Sequence, residues 1–318
     1  MRTGQEKHIL IGIDGSPGSR AALHYIGLIF ANNPNAYIDL LHILPPVPPL
    51  FTEHSNDILE LQNIQKSAAK FEQECRKRAT DIMEEAENTL TQYNIKKENL
   101  CFLVRPRVTE LAREFLAMER GSIYDAIVLG RRGMSRIEEL FLGSLTSNIL
   151  QLAKKVTICI VDGKIQSRKL LVPIDGSPNS GRALNNAAWL LAGSEFIETT
   201  ILHVIPSLFP KEIREENIES EKVEAPFRER LVNDARELLT NAKKSLVSQG
   251  ISGDSIKIQL ETKSTGVARS ILKFAKNQNY HSIMIGRRGI SRTKQFFFGS
   301  VSNKIIQQAQ NMAVWVVS

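Results

Sequence analysis

Gly130-Arg-Arg-Gly-Met-Ser-Arg-Ile-Glu-Glu-Leu-Phe-Leu-Gly-Ser144 returns later in the chain as Gly286-Arg-Arg-Gly-Ile-Ser-Arg-Thr-Lys-Gln-Phe-Phe-Phe-Gly-Ser300. A short apolar run leads into each first glycine, Tyr124 to Leu129 and His281 to Ile285, and a helix-like pattern follows each serine. That order predicts strand, glycine loop, helix. Glycine lets the backbone take positive φ and approach a ligand closely, while the first amides of the following helix are unpaired at the positive end of its dipole. Such a loop suits an anion, phosphate above all. Three arginines ride in each copy (Arg131, Arg132, Arg136 and Arg287, Arg288, Arg292), more positive charge than a plain turn needs. The competing reading is a strand-to-helix connection that uses glycine for packing and serine as N-cap, with no ligand. Recurrence of the whole Gly-x-x-Gly-x9-Gly-Ser pattern favours anion binding. It is neither a Walker loop nor the dinucleotide Gly-x-Gly-x-x-Gly.

Working outward, each loop closes the same series of elements. His8 to Ile13 is a short branched run bounded by Asp14-Gly-Ser-Pro-Gly18, hence a buried strand. Ser19 to Ala31 has helical spacing, and Tyr37 to Leu44 is a second strand. A proline-stiffened loop to about Asn56 precedes one long amphipathic helix over Ile58 to Tyr93. A strand at Leu100 to Val104, a helix at Thr109 to Met118, the loop strand, a helix to Ala153 and a strand at Val156 to Val161 complete the unit. Asp162 to Ser167 reads as a linker, after which Lys169-Leu-Leu-Val-Pro-Ile-Asp-Gly-Ser-Pro178 restarts the pattern. Pro206 to Pro226 reads as a charged, mobile loop before a helix from Phe227 to Val247. A strand at Ile256 to Glu261, a helix at Val267 to Lys276 and a last strand at Ala313 to Val317 follow. The copies are offset by 161 residues at Asp14 and Asp175 and by 156 at Gly130 and Gly286, so this is one five-stranded unit duplicated. Strands alternating with helices imply parallel pairing with helices on both faces.

The bulk numbers agree. A chain of 318 residues has room for two domains, and 42% apolar with 24% charged residues is globular composition. No run approaches the roughly 20 apolar residues of a membrane span, and no signal peptide is legible, so a cytoplasmic protein is expected. Cys75, Cys101 and Cys159 are too few and too scattered for a disulfide framework or a zinc site. The net charge of +7 is nearly accounted for by the six loop arginines, and with aromatics at only 6% nucleic-acid binding is not expected.

Asp14 and Asp175 stand at the carboxyl ends of the first strands, where open parallel sheets take ligands. An Asp-Gly-Ser-Pro turn capped by its own aspartate is equally consistent with them. His42 and His203, inside apolar strands, read as hydrogen-bonded core histidines. No metal triad and no nucleophile with a base at suggestive spacing is found. The apolar last strands suit pairing of the two units, within the chain or between chains.

Taken together, the strand ending in Asp-Gly-Ser, the Leu41-His-Ile and Leu202-His-Val runs and the doubled glycine signature resemble the universal stress protein family in its tandem, ATP-binding form. The match spans nearly the whole chain. The resemblance implies two Rossmann-like α/β domains of the adenine nucleotide alpha hydrolase-like type, over residues 1–163 and 168–318. Each would hold a five-stranded parallel sheet of order 3-2-1-4-5 with helices on both faces. By motif position it implies that Gly130, Arg131, Gly133, Gly143 and Ser144, and in the second half Gly286, Arg287, Gly289, Gly299 and Ser300, lie at the ribose and phosphates. Asp14 with Ile43, and Asp175 with Val204, would lie at the adenine. The implied ligand is ATP, or ADP or AMP, with magnesium arriving on the phosphates, and the implied assembly is a pseudo-symmetric pairing of the two domains with further homodimerisation open. Arg107-Val108 stands where Gly266-Val267 begins the third helix of the second half. The function implied is regulatory, in the stress response; slow ATP hydrolysis or self-phosphorylation at Ser144 or Ser300, and a ligand-free dimerising module, are the alternatives.

Overall fold

The computed structural model describes residues 6–51, 57–119, 124–132, 142–153, 155–194, 197–206, 218–262, 264, 266–287 and 299–318. The first half runs β1 (Lys7–Gly12), α1 (Pro17–Ile29), β2 (Ala36–Leu44), α2 (Ile58–Thr91), β3 (Leu100–Pro106), α3 (Leu111–Glu119), β4 (Ala126–Gly130), α4 (Ser144–Leu152) and β5 (Thr157–Val161). The second repeats it as β6 (Lys169–Pro173), α5 (Pro178–Leu191), β7 (Glu198–Val204), α6 (Ile218–Ser248), β8 (Ile256–Glu261), α7 (Val267–Asn277), β9 (Ser282–Gly286), α8 (Ser300–Gln308) and β10 (Ala313–Val317).

The ten strands among the described residues form one sheet, in the order β3-β2-β1-β4-β5-β10-β9-β6-β7-β8. Each half is therefore parallel, as its alternating elements imply, and ordered 3-2-1-4-5, as the family resemblance implies. The halves join where β5 and β10 pair antiparallel, with Val161 opposite Ala313 and Ile158 opposite Val316. Both strands are buried along their whole length, so their apolar edges are covered by one another.

Helices cover both faces. On one face α1, α2, α5 and α6 share a core that runs through both halves, from Ile26 and Leu90 to Leu190 and Leu246. On the other, α3, α4, α7 and α8 pack on Ile127, Ile158, Ile283 and Val314. A polar thread ties the seam: Trp315 Nε1 donates to the Tyr25 hydroxyl at 2.7 Å, which donates to Ser282 Oγ at 2.9 Å. Burying a tyrosine and a tryptophan this deeply requires that their polar atoms find partners.

One sequence expectation is corrected. α6 begins at Ile218 and runs through Pro226, where a charged loop to Pro226 was expected. The stretch Ile218-Glu-Ser-Glu-Lys-Val-Glu-Ala225 is rich in good helix formers, and its acidic residues favour a helix start. Charge density there goes with a helix rather than a loop.

Candidate functional site

The site in each half is built where the strand order reverses, between β1 and β4 or between β6 and β9. The turn after β1 is fixed by its own residues. Gly15 takes φ 74, the Ser16 N–H donates to Asp14 Oδ1 at 2.9 Å, and Ser16 caps α1 through the Ser19 N–H at 3.2 Å with Pro17 at the first helical position. The second turn repeats every part: Gly176 at φ 77, Ser177 N–H to Asp175 Oδ1 at 3.0 Å, and Ser177 capping Ser180 at 3.2 Å. The aspartates thus do cap their own turns, which leaves them facing the cavity described below.

The glycines that end β4 and β9 are there for close approach. A Cβ on Gly130 would lie 2.4 Å from the carbonyl carbon of Gly18, and one on Gly286 would lie 2.5 Å from the Asn179 carbonyl oxygen. Backbone meets backbone at both points, so no rotamer change relieves the clash. The returning helix is tied to the same strand end: Thr146 Oγ1 donates to the Gly130 carbonyl at 3.1 Å, and Ser302 Oγ to the Gly286 carbonyl at 2.8 Å. α4 and α8 therefore point their N-termini, with Gly143 and Gly299 as caps, at the carboxyl end of the sheet.

A cavity opens there in each half. The first, about 520 Å³, brings together Asp14, Ile43, Gly130, Gly143 and Ser144. The second, about 400 Å³, brings together Asp175, Val204, Gly286, Gly299 and Ser300. Gly133 and Gly289 lie outside the described residues, as do Arg136, Arg288 and Arg292. Both volumes fall within the range of small-molecule sites, and the position is where open α/β sheets take ligands.

Two expected site residues are placed elsewhere. The Arg131 side chain turns away from the cavity and donates to the carbonyls of Ile306 (3.1 Å), Ala309 (2.7 Å) and Gln307 (2.5 Å) in the other half. Arg287 mirrors it, donating to the carbonyls of Leu150, Ala153 and, at 3.0 Å, Gln151. Burial pushes the Arg131 pKa down, opposed by nearby Asp162. Strand alternation explains the correction: adjacent residues at the end of β4 point to opposite sides, so Arg132 lines the pocket and Arg131 cannot.

A second correction concerns Gly266. It directly precedes Val267, and Val267 and Ile271 line the second pocket where Leu111 and Phe115 line the first. Its counterpart is therefore Glu110, and Arg107 lies earlier, at the end of β3, with its N–H on the Leu44 carbonyl at 3.2 Å.

Sequence reasoning tied Arg107 to the first pocket, which it lines, but missed Phe71, Cys75 and Arg78 of α2, which line it too; the spacing of the three α2 residues puts them on one helical stripe, which was a readable signal. His42 and His203 line the two pockets while their Nδ1 atoms lie 2.9 Å and 2.8 Å from the carbonyls of Ile13 and Ile174. A wider polar cleft of about 730 Å³ lies against β8. Its Glu198 is already engaged by Lys257 at 3.1 Å and by the Tyr280 hydroxyl at 3.0 Å, so charges there answer one another.

Two doubly wound α/β units sharing one sheet, each with a glycine-ended strand and a helix N-terminus opening on a switch-point cavity, define a tandem Rossmann-like protein. The family model described as Universal stress protein family matches residues 6–160 and again 166–318. The chain belongs to that family, in tandem form. Universal stress protein YxiE of Bacillus subtilis (strain 168) is 32% identical over 155 residues, which is 44% of this chain and 91% of that protein. A universal stress protein of Mycolicibacterium smegmatis is 26% identical over 211 residues, 64% of this chain and 66% of its own. Among solved structures, a universal stress protein from Archaeoglobus fulgidus DSM 4304 superposes with TM-score 0.59 at 19% identity, covering 100% of this chain and 99% of that one. A functionally unknown protein from Pseudomonas aeruginosa PAO1 gives 0.54 at 15% identity, over 99% and 93%. At these identities the two structures support the fold. Among the described residues no helix is long and apolar enough to cross a membrane.

Proposed function

We propose that the chain binds an adenine nucleotide, ATP foremost, at one or both switch-point pockets, and that the nucleotide acts as a regulatory ligand in a cytoplasmic stress response. One observation carries this reading: the same cavity recurs in both halves, walled by Gly130 and Ser144 in one and by Gly286 and Ser300 in the other. A flat base fits against the apolar strand ends, Ile43 and Leu44 or Val204 and Pro206. Phosphates fit at the helix N-termini, whose free amides and dipoles favour anions. Arg132 adds a cation to the first pocket. Magnesium would arrive with the phosphates, held mainly by them.

The test is calorimetric titration of ATP into the full chain and into Ser144→Asp/Ser300→Asp. Aspartate in the first turn suits a helix N-terminus, so the fold is kept, while its charge opposes phosphate. Binding to the unaltered chain that is lost in the double variant supports the proposal. Equal binding to both chains, or none to either, would refute it.

A further inference from the structure

The arginines that leave the pockets have a second role. The last four carbonyls of any helix lack partners within it, and a cation there also meets the negative end of the helix dipole. Arg131, only 2% exposed, places its guanidinium on the carbonyls of Ile306, Gln307 and Ala309, the C-terminal end of α8. Arg287 does the same to Leu150, Gln151 and Ala153 at the end of α4. Each arginine thus belongs to one glycine loop and caps the helix of the other half.

Backbone bonds close the circuit. The Arg131 carbonyl accepts the Gly143 N–H at 2.9 Å, and the Arg287 carbonyl accepts the Gly299 N–H at 3.1 Å. The Arg131 and Arg287 N–H groups are in turn held by the Val161 and Val317 carbonyls, at 2.8 and 2.9 Å, on the strands that join the halves. One path therefore leads from the N-cap of α4 through Arg131 to the C-terminus of α8, along α8 to its N-cap, and through Arg287 to the C-terminus of α4. A nine-residue helix is roughly 13 Å long and rigid, so a constraint at one end reaches the other.

We propose that Arg131 and Arg287 are positioning residues acting in trans, each aligning the phosphate-facing helix of the opposite half, so that filling one pocket orders the other. This rests on the nucleotide reading above for its ligand, and its coupling is positive: an anion that fixes Gly143 also fixes Arg131, and a helix already ordered costs less to engage.

The test is hydrogen–deuterium exchange on the full chain, with and without ATP, for the unaltered protein, Arg131→Met and Arg287→Met. Methionine keeps most of the aliphatic bulk and loses all five donors. Amides of residues 300–308 should exchange roughly ten- to a hundredfold faster in Arg131→Met and those of residues 144–152 faster by a smaller factor, and Arg287→Met should give the mirror image. ATP protection over residues 299–303 should fall in Arg131→Met, although the altered residue belongs to the other loop. Arg131→Lys and Arg287→Lys, which keep the charge without the fork, serve if the methionine variants unfold and should give the same pattern at smaller amplitude. Loosening confined to the variant's own half, or no change in either, overturns the proposal while leaving ATP binding intact. Absence of ATP protection from the unaltered protein overturns the nucleotide reading, and the coupling with it.

Discussion

The two pockets share a backbone and differ in the described side chains that line them. Strand end, Asx turn, serine cap and helix N-terminus repeat with nearly equal distances. Yet Arg78, Arg107 and Arg132 line the first pocket, and no lysine or arginine among the described residues lines the second. Across the duplicated frame, Arg78 has Asp234 as its counterpart at the 156-residue offset. The backbone part is set by sterics that tolerate no alternative, whereas the side chains around it are free to diverge. The halves are thus expected to respond alike to changes in the frame and differently to changes in the lining.

The largest effect tests the shared frame. Gly130→Ala and Gly286→Ala each force a Cβ to within 2.4 or 2.5 Å of backbone atoms. Each should lose on the order of 3 kcal/mol in urea unfolding, the two being equal within about 1 kcal/mol. A tolerated change in one half alone would break the equivalence.

Next comes the seam, where the halves also differ. Lys7 of β1 is buried, donates to the Trp189 carbonyl of α5 and lies 4.9 Å from the Trp189 ring centroid. Its counterpart at the 161-residue offset is Arg168, and that of Trp189 is Leu28. Burial lowers the Lys7 pKa to about 8 despite the nearby Asp125 carboxylate. The folded value lies below the unfolded one, so between about pH 8 and 10.5 the unfolded chain holds more protons and stability rises with pH. A gain of about 2 kcal/mol across that window is expected in urea unfolding curves. Lys7→Met should flatten it and raise stability at pH 7. An unchanged slope in the variant would assign the pH dependence to other groups.

The lining itself gives a smaller effect. With the second pocket blocked by Ser300→Asp, Arg107→Ala or Arg78→Ala should weaken ATP binding roughly tenfold and AMP binding about threefold, because charge-assisted contacts multiply with phosphates. With the first pocket blocked by Ser144→Asp, the same changes should leave affinity alone. Equal losses for ATP and AMP would mean that these arginines shape the pocket without reading charge.

What sequence made legible follows the same division. The described strands and the switch-point location of Asp14, Gly130 and Ser144 were readable, because glycine, aspartate and serine there answer local backbone demands, whereas the strand order within each half followed only from the family resemblance. Arg131 was misplaced because an arginine beside a glycine loop looks like a phosphate ligand, and its true partners lie about 175 residues away on α8. No local pattern reports that distance. Arg78 escaped notice because its stripe on α2 is identifiable, but the cavity that the stripe faces depends on how α2 crosses the sheet. The helical stretch from Ile218 was hidden by its charge, which suits a helix as well as a loop.

The smallest effect addresses why α2 reaches the first pocket at all. Gly15 and Gly176 have nearly the same φ, 74 and 77, so alanine at either pays the same left-handed penalty of about 1 kcal/mol. Their surroundings differ. A Cβ on Gly15 would lie 3.0 Å from Cδ1 and 3.1 Å from Cγ1 of Ile82 on α2, while one on Gly176 would lie 3.8 Å from the nearest Leu238 atoms. Ile82 is buried and β-branched, so it yields only if the helix moves. Gly15→Ala should therefore cost about 2 kcal/mol in urea unfolding and Gly176→Ala about 1. Ile82→Val in the Gly15→Ala background removes the Cδ1 contact and should recover part of the difference, a coupling measurable by a double-mutant cycle. Equal costs would mean that α2 adjusts over the turn as easily as α6 does, and the pockets would then differ only in their described lining side chains. Unequal costs with recovery would mean that α2 is pressed onto the first turn, the packing that carries Phe71, Cys75 and Arg78 to the pocket wall.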